Sequence, residues 1–251
     1  MGERTSYAPG TFSWAELVTS DADGAKAFYT TVLGWDYEDT PAGEGMIYSL
    51  ARRDGKRVAA LFASEQPPHW NCYVTVASVD EVTPRAAELG GRVVQEPFDV
   101  LDDVGRMSVI EDPTGAALRL WEARSTIGAE LVNTPGAMTW NDLVTPDPDG
   151  AARFYGDLLG WTATEIPDAG GYRVIRNGER SNGGIMPHTD SPPAWLPYFG
   201  HEDLERLLGV ELEGLGGRLL NGPVHMPQGT IAVLADPQGA AFALWTGAYA
   251  D

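Results

Sequence analysis

Chemistry that depends on sulfur or imidazole is thinly provided for in this sequence, which has one cysteine, Cys72, and four histidines in 251 residues. A lone thiol excludes an intramolecular disulfide and a thiolate metal cage. Cys72 alternates with Val74 and Val76 along an apolar strand, the pattern of a buried core thiol. The histidines (His69, His188, His201 and His225) never stand as a pair at metal-ligand spacing. Basic residues are scarce too, 17 Lys and Arg against 36 Asp and Glu, for a net charge of −19. That balance argues against nucleic acid and anionic membrane as partners, both being polyanions, and reads as a solvated acidic surface. No apolar run approaches a membrane span. The first dozen residues, MGERTSYAPGTF, lack the apolar stretch of a signal peptide, so the expected compartment is the cytoplasm. What remains is 43% hydrophobic and 21% charged, a globular composition, and long enough for two ordinary domains with separate cores.

A duplication organises the chain. GTFSWAELVTSDADGAKAFYTTVLGW, Gly10 to Trp35, returns as GAMTWNDLVTPDPDGAARFYGDLLGW, Gly136 to Trp161. PPHWNCY, from Pro67, matches PPAWLPY, from Pro192. EDPTGAALRLW, from Glu111, matches ADPQGAAFALW, from Ala235. All 8 tryptophans fall into matched pairs: 14 with 140, 35 with 161, 70 with 195, and 121 with 245. The expected domains are residues 10–123 and 136–247, joined by RSTIGAELVNTP.

Local signals repeat inside each half. Thr11 to Thr19 alternates like a half-buried strand. Ser20 or Asp21 caps a helix with Ala25, Phe28, Tyr29, Val32 and Leu33 on one face, and Gly34 ends it. In the second half Asp147 is the cap, and Pro148 takes the first helical position, where its missing N–H costs nothing. Strands are expected near Met46–Ala51, Arg57–Ala63 and Trp70–Ala77, then a helix from about Asp80 to Leu89. Three more strands follow, the last two joined by the Asp-Pro-Thr-Gly turn. Each half thus reads βαβββ–βαβββ, an α+β fold of four modules. Its helices should cover one face of a curved mixed sheet, and its other face should be a concave cleft.

That order, with [FY]-x3-LGW after the first helix and DP-x-G before the last strand, resembles the vicinal oxygen chelate superfamily of glyoxalases, bleomycin-resistance proteins and dioxygenases. The resemblance runs from about Gly10 to Gly247. The tandem form with W-x-[ED]-L and LGW looks like an actinobacterial branch often labelled as hydroxylases. The motifs speak for the fold and say little of chemistry, since isomerases, lyases, ring-cleaving dioxygenases and non-catalytic binding proteins share them. Metal-dependent members hold a divalent ion with His, Glu or Gln from four strands. Carried over by position, those places fall on Trp14 and Trp140, near Asn71 or Tyr73 and Leu196 or Tyr198, on Arg119 and Ala243, and near Leu61 and Ile185 or Met186. They offer no such quartet, so no metal and no cofactor are expected. His188, beside the fourth strand of the second half, comes nearest to an exception.

The resemblance directs the first-strand face of Trp14 and Glu16, and of Trp140 and Asp142, into the clefts. Arg119 with Trp121, and Ala243 with Trp245, share the corresponding face of the last strands. Tyr73, Tyr198 and His225 complete the expected ligand contacts. Flat aromatic walls with few polar groups suit a planar, largely apolar molecule. Against this stand the alternatives that the tryptophans fill the core and that Glu16 and Asp142 are ordinary surface acids. Two functions fit. One is metal-independent binding of a small aromatic or hydrophobic metabolite, natural-product or antibiotic-like. The other is a metal-free tailoring enzyme (isomerase, lyase or ring-opening) with Glu16 or Asp142 as general base. The expected partner is a small molecule, and the expected state a monomer or homodimer.

Overall fold

The computed structural model describes residues 2–43 and 45–249. The first strand, β1 (Phe12–Thr19), runs into α1 (Ala22–Leu33). Asp21 is the cap: its side chain accepts the Gly24 N–H at 3.0 Å. Gly34 closes the helix in the left-handed region, φ 69°, where a side chain would be strained. Next come β2 (Asp36–Pro41), β3 (Ile47–Arg53), β4 (Lys56–Ala63) and β5 (His69–Thr75). After them stand α2 (Val79–Glu88), β6 (Arg92–Val100), a single turn α3 (Leu101–Val104), β7 (Gly105–Glu111) and β8 (Ala117–Ala123). β2 is polar and largely exposed, so no alternation announces it; six backbone pairs with β3 define it instead.

The second half repeats the plan with β9 (Met138–Thr145), α4 (Pro148–Leu159), β10 (Thr162–Glu165), β11 (Arg173–Asn177), β12 (Arg180–Pro187) and β13 (Ala194–Gly200). Asp147 caps α4 through the Gly150 N–H, with Pro148 in its first turn. Where α2 would recur, the chain makes only the turn α5 (Leu204–Arg206) and a π-helical stretch, Leu207–Glu211. β14 (Arg218–Met226), β15 (Gly229–Ala235) and β16 (Ala241–Gly247) complete it.

Each half forms one eight-stranded sheet, in the orders β2-β3-β4-β1-β5-β8-β7-β6 and β10-β11-β12-β9-β13-β16-β15-β14. Within a module the first and last strands pair in parallel, β1 with β4 and β5 with β8; modules join through antiparallel β1–β5. The second sheet copies this at β9–β12, β13–β16 and β9–β13. The fold is therefore α+β, two curved mixed sheets built from four modules.

The motifs that reveal the duplication fasten the halves together. The Trp35 indole donates to the Gly136 carbonyl at 2.6 Å, and Trp161 in return donates to Gly10 at 2.7 Å. The Tyr29 hydroxyl donates to Asp236 across the interface, as Tyr155 does to Asp112. Those aspartates also hold their own turns, each accepting three backbone N–H groups on one oxygen. Trp70 and Trp195 donate to the two tyrosine hydroxyls. Phe28 and Tyr29 pack edge-on against Phe242, and Phe12 packs on Trp161 and Trp195, so one apolar core runs through both halves. Removing one such buried tryptophan side chain should cost about 3–5 kcal/mol.

Candidate functional site

Period-two alternation assigns each strand residue to a face. Leu17 pairs with Trp70, which meets Tyr29 of α1, so that face carries the helices. Glu16 pairs with Asn71 and Trp14 with Tyr73, on the opposite, concave face. Tyr73 pairs onward with Arg119, and Thr75 with Trp121. In the second half Asp142 pairs with Leu196, Trp140 with Tyr198, and Tyr198 with Ala243. The eight tryptophans therefore divide evenly: Trp35, Trp70, Trp161 and Trp195 fasten the halves, while Trp14, Trp121, Trp140 and Trp245 stand on the concave faces.

Each concave face holds a buried carboxylate ringed by donors. Glu16, 7% exposed, accepts the Tyr48 hydroxyl on Oε2 at 2.8 Å, and Tyr73 and Asn71 on Oε1 at 3.0 and 3.2 Å. Asp142, 2% exposed, accepts Trp140 Nε1 and the Tyr172 hydroxyl on Oδ1, both at 2.8 Å, and Tyr198 on Oδ2 at 2.6 Å. Neither acid is an ordinary surface group. Burial pushes Asp142 above the usual aspartate range, while the hydrogen bonds from Tyr198, Tyr172 and Trp140 pull it back in part. Burial also raises Tyr48, Tyr73 and Tyr198 well above the phenol range, with the neighbouring carboxylate adding to the effect, so all three remain protonated donors.

Tyr48 and Tyr172 do not figure among the sites expected from sequence, although they bind the carboxylates as closely as Tyr73 and Tyr198 do. Tyr48 comes from β3, three strands from β5, and Tyr172 from the turn before β11. A signal existed: Tyr48 and Tyr172 share the offset that relates Ala60 to Gly184, the residues beside Glu16 and Asp142 in β4 and β12. Gly184 has a definite reason. A Cβ there would lie 2.0 Å from the Tyr172 hydroxyl and 2.4 Å from Asp142 Oδ1.

The remaining expected residues separate. The Trp121 indole stands edge-on to Tyr73 and donates to the Thr126 carbonyl at 3.1 Å; Trp245 donates to Ala248 at 3.0 Å. The Arg119 guanidinium lies over the Tyr73 ring, 5.8 Å from its centroid. His225 does not join them. It pairs with Thr230 and thence Thr246, while Ile231 pairs with Trp245, so His225 lies on the face away from the cleft and meets Thr230 Oγ1 at 3.1 Å.

The positions that would hold a divalent ion do not fit one. Leu61 and Ile185 face the helices; on the cleft side at that level stand Ala60 with Phe62, and Gly184 with Met186. Trp14, Trp140 and Ala243 offer no ligand, and Arg119 is a cation. His188 is exposed and bonds through its backbone N–H to Thr145. Among the described residues no group of three or more His, Cys, Asp or Glu side chains is disposed to hold a metal. None of the described helices is long and apolar enough to cross a membrane.

Paired βαβββ modules with an aromatic concave face define a tandem glyoxalase-type protein. The model of the Glyoxalase/Bleomycin resistance protein/Dioxygenase superfamily matches residues 11–120. CFP32 of Mycobacterium tuberculosis (strain CDC 1551 / Oshkosh), whose name assigns it provisionally to the glyoxylases, is 41% identical over 97% of each chain. The anthracycline biosynthesis protein DnrV of Streptomyces peucetius is 32% identical over 96% of this chain and 94% of its own. Among solved structures, the Mn(II)-bound glyoxalase from Novosphingobium aromaticivorans superposes with a TM-score of 0.69 at 17% identity, covering 98% of this chain and 83% of that one. The 2,3-dioxygenase LapB from Pseudomonas sp. KL28 does so at 0.66 and 16%, covering 95% and 92%. The chain belongs to the glyoxalase/bleomycin resistance/dioxygenase superfamily.

Proposed function

We propose that the concave faces bind a small, planar, hydroxylated aromatic metabolite without a divalent metal ion. The observation that carries this reading is the ringed carboxylate. Each cleft tyrosine donates its hydrogen inward to Glu16 or Asp142. Tyr48 and Tyr172 also accept the indole N–H of Trp14 and Trp140, so a ligand hydroxyl would find one remaining lone pair on each of these two, and those of Tyr198. Around them stand Trp14, Trp121, Tyr48 stacked on Phe62, and in the second half Trp140 and Trp245, surfaces suited to a flat ring system. Of the positions that the resemblance assigns to metal ligands, Trp14 and Trp140 carry indoles, Arg119 a guanidinium and Ala243 a methyl. DnrV is named for anthracycline biosynthesis, and anthracyclines are planar hydroxylated ring systems.

Tryptophan fluorescence titrated with a dihydroxyanthraquinone tests this on the intact protein. Saturable quenching is expected, with affinity falling about tenfold in Trp140→Ala, the loss of roughly 1.4 kcal/mol of aromatic contact. Absence of saturable quenching, or stoichiometric zinc, iron, manganese or nickel after purification without chelator, overturns the reading. A second reading, enzymic, starts from Asp142, whose raised pKa brings a carboxylate nearer to acid–base work. Its sign is loss of the dye's own absorbance during incubation, abolished in Asp142→Asn while quenching persists.

A further inference from the structure

The parallel strands β1 and β4 splay apart before Glu16 and Ala60, and the linker fills the gap. The Ala129 N–H donates to the Ser13 carbonyl at 2.8 Å, and the Glu130 N–H to the Arg57 carbonyl at 2.8 Å. The Glu130 carboxylate takes the Arg57 backbone N–H at 2.9 Å and its guanidinium at 2.8 Å. Gly128, at φ +103°, admits the chain where a Cβ would come within 2.3 Å of the Ser13 carbonyl oxygen. The first half thus contains an extended amide and its carboxylate, seated between two strand ends.

The register carries each of these places into the second half. Glu16 with Ala60 corresponds to Asp142 with Gly184, so Ser13 corresponds to Thr139, Ala15 to Asn141, Arg57 to Ser181 and Val58 to Asn182. There β9 and β12 splay in the same way, and beside them lies a cavity of about 330 Å³, walled on one side by Thr139, Trp140, Asn141, Arg180, Ser181 and Asn182 and on the other by Arg4 and the N-terminal segment from Ser6 to Phe12. That volume sits at the lower end of the ~300–1,000 Å³ range of small-ligand sites.

Its chemistry differs from that of the filled groove in an informative way. Ala15 and Val58, both fully buried, are replaced by asparagines. Asn182 is used internally, bonding the Gly10 carbonyl and the Phe12 N–H. Asn141 is 2% exposed, and its Oδ1 has no hydrogen-bond partner among the described residues. A buried amide oxygen left without a donor costs about 1–3 kcal/mol, which a ligand N–H would recover. Arg4 and Arg180 have no carboxylate partner among the described residues, in a protein with twice as many acids as bases.

We propose that this second groove is a binding site for a small extended amide that carries a carboxylate, such as an N-acylated acidic dipeptide, seated as Gly128–Glu130 is seated in the first half. Asn141 Oδ1 accepts a ligand N–H, and Arg180 or Arg4 takes the carboxylate in the part that Arg57 plays for Glu130. The cavity shares Trp140 with the second concave face, but the proposal does not rest on the ligand proposed there.

The probe is the acetylated, amidated pentapeptide Ile-Gly-Ala-Glu-Leu, copying residues 127–131, titrated into the full chain by calorimetry. Saturable one-site binding at about millimolar affinity or tighter is expected. Arg180→Ala should weaken it about tenfold, and the same probe with Gln for Glu should lose a similar factor from wild type while being indifferent to Arg180→Ala. Asn141→Ala, which restores the residue found at the filled groove, should weaken both probes alike. No saturable binding, or binding that ignores both the Gln substitution and Arg180→Ala, overturns the proposal. Quenching by the dihydroxyanthraquinone should be unaffected by Arg180→Ala, which distinguishes failure here from failure of the aromatic site.

Discussion

Glu16 and Asp142 occupy the same place in two copies of one sheet, and the protein has solved the same burial problem differently in each. The longer acid stands opposite Ala60; the shorter one stands opposite Gly184, and the missing methyl lets Tyr172 reach the carboxylate. On the next strand but one, Arg119 leans on Tyr73, whereas Ala243 stands in that place beside Tyr198 and brings it no charge. Asn71 supplies one donor to Glu16, but its counterpart Leu196 supplies none, and the Trp140 indole turns to Asp142 in compensation. The comparison shows the ring of donors to be the retained feature and the identity of each donor to be negotiable. A buried acid needs its lone pairs occupied, and several residue types can do that.

The largest expected way to break this comparison is Gly184→Ala. The added methyl overlaps Tyr172 and Asp142, so we expect a loss of about 1–3 kcal/mol, read as a lower urea midpoint. The mirror change Ala60→Gly should cost only about 0.5–1 kcal/mol through chain entropy. Equal losses in the two variants would show that the second ring is no tighter than the first.

A smaller effect concerns pH. Burial raises the Asp142 pKa, so the folded state holds its proton more firmly than the unfolded chain does. The associated stabilisation is complete below the unfolded aspartate value of about 3.9 and is lost as pH rises through the folded value. Asp142→Asn removes that dependence. Relative to wild type, the variant should therefore gain stability as pH rises from about 4 to 7. A difference between the two urea midpoints that stays flat across this window would refute the assignment. Taking the difference cancels the repulsion of the remaining acids, which relaxes in both proteins alike.

Smallest is a change in ligand preference. Arg119 gives the first cleft a cation that the second lacks. A sulfonated anthraquinone should thus bind the first cleft better than a neutral one by a factor of about 5, near 1 kcal/mol for a partly solvated charge pair. Arg119→Ala should erase that preference, and Ala243→Arg should create it in the second cleft. Competition titrations with the two dyes read both outcomes.

The fold was legible in the sequence because it is written twice. Matched tryptophans, a cap at Ser20 or Asp21, another at Asp147, and the Asp-Pro turns located the elements; strand alternation grouped Trp14 with Glu16 and Trp140 with Asp142, and only the family resemblance assigned those faces to the clefts. The clefts were less legible for two physical reasons. Donors such as Tyr48 and Tyr172 are brought to the acids by pairing between strands distant in sequence, which periodicity within one strand does not reveal. His225 lies off the cleft because its partner Thr230 is the neighbour of Ile231, the residue that faces Trp245. The two one-residue irregularities earlier in β14 cancel, so pairing between strands and not β14 alone decides its face. The broken second helix of the second half, Leu204–Arg206 and the π-helical stretch after it, likewise has no counterpart in the repeat.

The bonds between the halves obey a two-fold rule. Tyr29 meets the aspartate of the other half's turn, and Tyr155 meets that of the first; the two LGW tryptophans and the two leading glycines are exchanged in the same manner. Residue i touches j′ while j touches i′, which is the signature of an isologous, two-fold interface. A single half carries both members of every such pair, so a chain of that length would find its complement in another copy of itself. Held in one chain, the two complements meet at high effective concentration. The pairing asks nothing of the concave faces, so these can differ, as Arg119 and Ala243 do.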